Sequence, residues 1–542
     1  MPKPPFRSSI AILALLFAAF PVFTRGGDDH SSSMPLFQTS DRCVACHNGM
    51  KTKTGEDFSI GVEWRASIMA NSSRDPYWQA SVRRETIDHP SASTDIQDEC
   101  SRCHMPMAYY ESHARGRKQE VFSHLKFNPD ERDDAEAADG VSCSVCHQIS
   151  EKNLGTRASF VGNFVIDPPE TRKQRVEHGP FPIDNGHQRV MQSSTGGFLP
   201  RQGAQIRDSA LCATCHTLYT VALDKDGKAI GELPEQMPYQ EWQHSTYREK
   251  DSCQSCHMRE VRGDTPVTSL FGAPRPGARH HSFVGANFFM ERVLNKYRED
   301  LSVTALPDEL NSAAEQTVSF LQSQSAHVSI RKVEVGDGQL HVDVFVENLT
   351  GHKLPTAYPS RRAWLHVMIH DRNGRAVFES GALNPDGSIQ GNVNDADPSR
   401  FAPHFREITS SDQVQIYEPI LKDSEGHVTT GLLTAIGYLK DNRLLPLGFD
   451  KNTADKDIAV VGDAAEDPNF TDSGSLVRYS PPVDPSAGPF HIEAELWYEP
   501  IGYRWAHNLV PYHADEPQRW VSYYDSLAPG VALILARTEL TK

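Results

Sequence analysis

From about residue 326 to the C-terminus, apolar and polar positions alternate with a period of two. Leu340, Val342, Val344 and Val346 take turns with His341, Asp343, Phe345 and Glu347, which places one set of side chains on each face of a strand. Gly336-Asp337-Gly338 just before this run is a hairpin signal. A second hairpin is predicted from Leu365, Val367 and Ile369, through Asp371-Arg372-Asn373-Gly374, to Ala376-Val377-Phe378. Further strands are expected over 432–439 and 491–498. Short strands, frequent Gly and Pro and no cysteine predict an all-β sandwich over 326–542, able to bury its own faces and fold alone.

Upstream the period changes to that of a helix. Phe289, Val293, Leu294 and Tyr297 share one face, and a second helix is expected from near Asp308 with Leu310, Ala314, Val318 and Leu321 inward. Residues 291–325 thus read as a helical connector. Over 35–290 short helices, turns and loops are expected, because little chain separates successive cysteine pairs. At the N-terminus the apolar run Ile10 to Phe20 follows Lys3 and Arg7. Its 11 residues, at about 1.5 Å each, cannot cross a bilayer core of about 30 Å. The run reads as an export signal over 1–27. Pro21 and Phe23 blur the cleavage site, so retention as an anchor stays open. No later segment is long and apolar enough to span a membrane, and the mature protein is expected to be periplasmic or secreted.

The cysteines all lie upstream of the connector helices. All 10 fall in five copies of Cys-x-x-Cys-His: Cys43/Cys46/His47, Cys100/Cys103/His104, Cys143/Cys146/His147, Cys212/Cys215/His216 and Cys253/Cys256/His257. Two thiols at this spacing can form thioethers with the vinyl groups of one porphyrin, and the adjacent histidine then falls under the iron. Disulfides or zinc would use the cysteines but not the histidines. Five such coincidences have a chance of roughly one in ten million at this histidine frequency. Five covalently bound haem c groups are therefore expected. At roughly one motif per 45 residues, porphyrin must supply much of the core. The predicted fold class is multi-domain: a haem-packed, mainly α and irregular multihaem cytochrome domain over 35–290, followed by the all-β sandwich.

Composition adds little beyond charge. The chain of 542 residues is 38% hydrophobic with a formal charge of −17, and haem propionates add to the acidity. Nucleic acid and anionic membrane surfaces are disfavoured as partners. The Asp-rich run Asn394-Asp395-Ala396-Asp397 reads as a solvated turn rather than a calcium site.

Function turns on the second axial ligand of each iron. Of 24 histidines, those outside the motifs are the candidates. His187, His244 and His281 lie in aromatic, Gly or Pro context within the motif region. Met69 is a thioether candidate, because Glu63-Trp64-Arg65-Ala66-Ser67 echoes Glu241-Trp242-Gln243-His244-Ser245 and places Met69 on a predicted helix.

With these motifs in view, residues 40–290 resemble the multihaem cytochrome c family typified by the tetrahaem cytochrome c554. The resemblance is carried by Glu235-Gln236-Met237-Pro238-Tyr239-Gln240-Glu241-Trp242, Cys253-Gln254-Ser255-Cys256-His257-Met258 and His281-Ser282-Phe283-Val284-Gly285. The C-terminal region looks like the β-domain that succeeds such haem domains, through Gly351-His352-Lys353-Leu354-Pro355-Thr356 and the segment from Tyr438 to Pro446. The family implies electron transfer through mostly bis-histidine haems, some relatives carrying a five-coordinate one. This chain departs from it with five motifs and with Met69 where a histidine is expected. His352 is an added candidate that would reach a haem from the β-domain. The expected function is single-electron transfer between redox protein partners, with the β-domain docking to a membrane complex or the cell surface. The alternative is an oxidoreductase acting on a small nitrogen or sulfur compound at a five-coordinate haem. It is weakened by the lack of the Cys-x-x-Cys-Lys site that many pentahaem nitrite reductases use.

Overall fold

The computed structural model describes Met1 and residues 35–171 and 174–542, so the export signal predicted over 1–27 lies outside the described residues. Up to about residue 285 the chain forms short helices joined by turns. The longest, Pro76–Asp88, starts with Pro76, and the Asp75 carboxylate accepts the Tyr77 and Trp78 amides, which satisfies donors the first turn leaves free. Every Cys-x-x-Cys-His lies on or beside such a helix: Asp41–Val44, Ser93–His104, Cys143–Cys146, Ser209–His216 and Cys253–His257. Ser252 and Ser255 close a capping box on the last of these. Two small sheets complete the region, Arg175–Gly179 parallel to Phe198–Gln202 and the hairpin Leu218–Leu223 with Ala229–Gln236.

The two connector helices form as predicted, over Phe288–Lys296 and Pro307–Gln324, with Leu310, Ala314 and Leu321 buried and Val318 packed against the core. Beyond them are two five-stranded sheets. In one, Ile416–Tyr417, Arg362–His370, His491–Glu499 and Leu533–Thr541 lie in that order, with Ala376–Ser380 paired to Arg362–His370. In the other the order is Phe470–Thr471, Gly474–Tyr479, Gln339–Asn348 and Ala326–Gly336, with Glu407–Ile408 alongside Gly474–Tyr479. Asp337 (φ +52°) and Gly338 (φ +74°) make the predicted hairpin turn, whose left-handed pair suits the strand twist. Val342, Val344 and Val477 from one sheet, and Leu365, Val367, Ile492 and Leu496 from the other, are buried in a shared core.

Three expectations change. The strand expected over 432–439 starts only at Gly437 and runs to Asp441. Residues before it serve the motif region instead, the Leu432 amide donating to Glu85 and the Leu433 carbonyl accepting the Leu223 amide. The Asp-rich run is only partly solvated, with Ala396 exposed and Asn394 and Asp395 buried. Asp395 is buried, pairs with Arg362 Nη1 at 2.7 Å and accepts the Ile389 amide.

The third change concerns the boundary near residue 326, which is not a boundary of the core. Ala66, Tyr77, Ala80, Leu233 and Met237 belong to the same buried cluster as the sheets. Helix Asp515–Leu527 lies on Pro76–Asp88, with the Tyr77 and Trp520 rings 5.0 Å apart. Arg83 also makes a two-pronged pair to Glu516 at 2.8 and 2.9 Å. Among the described residues no helix is long and apolar enough to cross a membrane.

Candidate functional site

All ten motif cysteines and all five following histidines line one connected cavity of about 1990 Å³. Pockets for one small ligand run to roughly 300–1,000 Å³, so this space suits several large groups. The motifs adjoin in pairs. The Cys43 and Cys143 thiols are close enough to perturb one another, as are Cys103 with Cys215 and Cys212 with Cys253. Ile183, Val190, Val221, Leu270 and Leu349 line the cavity yet remain exposed. A flat apolar group seated there would cover them.

Four of the five motif histidines have Nδ1 fixed by a backbone carbonyl. Nδ1 of His47 donates to the Val267 carbonyl (2.6 Å), His104 to Ser72 (3.0 Å), His147 to His178 (2.5 Å) and His257 to Val284 (2.6 Å). A proton held at Nδ1 leaves Nε2 as the free donor, the arrangement that fixes a metal-binding imidazole. Among the described residues His216 has no such carbonyl. Trp78 stacks on His104, with centroids 4.4 Å and planes 4° apart. Burial pushes His104 and His216 down to about 4, so both are neutral at pH 7.

The candidate second ligands are placed unequally. His352 faces His257 across the cavity, ring centroids 6.3 Å apart and planes 8° apart. Two imidazoles bound to one metal at about 2 Å each hold their centroids about 6 Å apart, which this pair matches. The His352 Nδ1 donates to the Lys353 carbonyl at 2.9 Å, again freeing Nε2. His281 lines the cavity with its Nδ1 on the Arg279 carbonyl at 3.0 Å. Burial pushes it down to about 3, and the nearby His147 and His47 rings add to the shift.

Met69 also lines the cavity. It sits in a turn rather than on the expected helix, which stops at Arg65 where the Asn71 side chain takes the Arg65 and Ser67 carbonyls. His187 reaches the cavity edge, but Nδ1 is bonded to Asp184 and Nε2 to the Phe271 carbonyl at 2.9 Å. His244 lies away from it. Tyr239 and Trp242 of its helix face the cavity, and His244 Nε2 turns to the Asp450 carbonyl at 3.1 Å.

Two histidines escape sequence reasoning. His178 lines the cavity with a buried Nδ1 that has no partner, and its carbonyl holds His147. Its only sequence signal is proximity to the third motif. His89 is buried with neither ring nitrogen hydrogen-bonded, its Nε2 4.0 Å from Glu85. It ends helix Pro76–Asp88 and reads in sequence as a cap.

No family model matches the chain, and no curated protein does. Among solved structures, the penta-heme cytochrome c552 from Thermochromatium tepidum matches with a TM-score of 0.50 and 14% sequence identity, over 94% of this chain and 100% of that one. At this identity the likeness establishes a common fold.

Proposed function

We propose that this protein is an exported pentahaem c-type cytochrome that passes single electrons between redox protein partners. One observation carries the reading: five Cys-x-x-Cys-His units, separated by up to 214 residues from Cys43 to His257, converge on one cavity with their thiols and histidines inward. Each haem supplies a one-electron couple when bound. The cysteines tether the porphyrins, the Nδ1–carbonyl bonds hold the imidazoles in register, and the apolar lining excludes water. The adjacency of motifs one and three, two and four, and four and five supports haems close enough to relay electrons. The fold shared with a penta-heme cytochrome supports the reading. The two five-stranded sheets are read as a β-sandwich that serves as a second wall of the haem region and a docking face for a redox partner or membrane complex.

One observation favours the second reading, a five-coordinate haem acting on a small nitrogen or sulfur compound. Among the described residues nine histidines line the cavity, four of them outside the motifs, and His187 has both ring nitrogens engaged. Imidazoles from this lining therefore cannot fill five second axial positions. Optical and EPR spectra of oxidised and reduced protein, with and without cyanide and carbon monoxide, decide between the two. An all-low-spin, unreactive protein is a carrier. A haem that binds either ligand makes it a candidate enzyme. A matured protein with no covalent haem would overturn both.

A further inference from the structure

The loop 351–356, which carries His352, rests on four buried charges. Lys353, Asp441, Glu241 and Arg443 are 0, 2, 0 and 6% exposed. Lys353 Nζ pairs with Asp441 at 2.7 Å, and Arg443 grips the same carboxylate from Nε and Nη2 at 2.8 and 2.7 Å. Arg443 Nη1 lies 3.0 Å from Glu241 Oε1, an ion pair outside hydrogen-bond angles. The other oxygen of Glu241 accepts the Lys353 amide at 3.1 Å and the Thr356 hydroxyl. Glu241 thus bonds the backbone one residue after His352 and the far end of the same loop.

The segment just before the fifth motif grips the loop from its other side. Ser245 Oγ donates to the Gly351 carbonyl at 3.1 Å and Tyr247 OH to the Leu349 carbonyl at 2.8 Å. A Cβ on Gly351 would stand 3.3 Å from the Tyr247 side chain and 3.4 Å from Trp242, so a side chain there would ask Tyr247 to give by a few tenths of an ångström. Asn348 and Thr350 both donate to the His352 carbonyl at 2.8 Å.

Four charges out of water are a costly way to fill a core, and apolar side chains often serve stability as well. What ion pairs add is direction. We propose that Glu241, locked by Arg443, is a positioning residue that holds the His352 imidazole opposite His257, so that the strand region supplies the second axial ligand of the fifth haem. A site of this kind must hold its ligand within about 0.5 Å, and the carboxylate bridges the two chain segments that must stay in register. The proposal rests on the reading that His257 and His352 bind one haem.

The test uses the full matured chain with His352→Ala, Glu241→Ala, Glu241→Gln and Thr356→Val. His352→Ala should turn about one haem in five high-spin and carbon-monoxide-reactive, with covalent haem content unchanged. Glu241→Ala should reproduce that spectrum, Glu241→Gln should retain part of the native one, and added imidazole should restore the low-spin form in the alanine variants. Thr356→Val, which removes one hydroxyl, gives a milder reading should Glu241→Ala fail to mature. Network variants that only lower Tm, staying low-spin and unreactive beside a reactive His352→Ala, would show a merely structural role and overturn the proposal. A His352→Ala protein that stays unreactive would overturn the axial-pair reading, and the proposal with it.

Discussion

At the scale of single residues, ligand capacity is decided by which ring nitrogen is left over. His281 and His352 spend Nδ1 on a backbone carbonyl and keep Nε2, whereas His187 spends both and His244 spends its Nε2 outside the cavity. We therefore expect His281→Ala to expose one haem to carbon monoxide, and His187→Ala and His244→Ala to leave the spectrum unchanged. A spectral change in His244→Ala alone would show that the cavity lining is a poor guide to ligation. Glu291 offers a pH test. Burial pushes its carboxyl up to about 8, its Oε2 has no partner, and Thr317 bonds Oε1 at 3.1 Å. The folded state then keeps a proton that the unfolded chain releases above about 4.5, so stability falls as pH rises from there to about 8 and is flat beyond. Glu291→Gln should match the native unfolding free energy near pH 4.5 and exceed it increasingly up to pH 8, by about a few kcal/mol at most.

At the scale of elements, the join between the motif region and the strands is the feature to challenge. Trp520 is fully buried, packs on Tyr77 and Phe289, and sits on the helix that meets Pro76–Asp88. Trp520→Ala should cost about 3–5 kcal/mol, read as a fall in Tm. Arg83→Ala should cost about 1 kcal/mol or less, because the Arg83 side chain is 29% exposed and such pairs contribute little. Equal effects from the two would mean that charge rather than apolar burial fastens the helices.

At the scale of the whole molecule, the shared core bears on how the chain folds. The strands were expected to bury their own faces, and most do, but Tyr77, Ala80, Leu233 and Met237 complete the same cluster. A fragment of residues 326–542 is expected to lose cooperative unfolding or to melt well below the intact protein. A fragment with native Tm would restore the two-domain division. Mass spectrometry of the intact matured chain should show five haem additions and no disulfide. Four or fewer in a fully matured sample would contradict the count.

The sequence alone determined what depends on local spacing. The Cys-x-x-Cys-His units are legible because the two thiols and the imidazole that a porphyrin would need lie within five residues. The hairpin at Asp337-Gly338, the helix at Pro307–Gln324 and the strand at His491–Glu499 were legible because their periods are set by backbone geometry. Only the tertiary structure decided which distant side chains face the motif histidines, because those partners lie far apart in sequence. His257 and His352 meet across 95 residues, and nothing near His352 records its distance from the fifth motif. Only the fold shows Lys353, Asp441, Arg443 and Glu241 to be one network, since each charge by itself reads as solvated surface. Periodicity likewise placed a divide near residue 326 that the core does not respect. It reports that a face is apolar, but not which segment covers it.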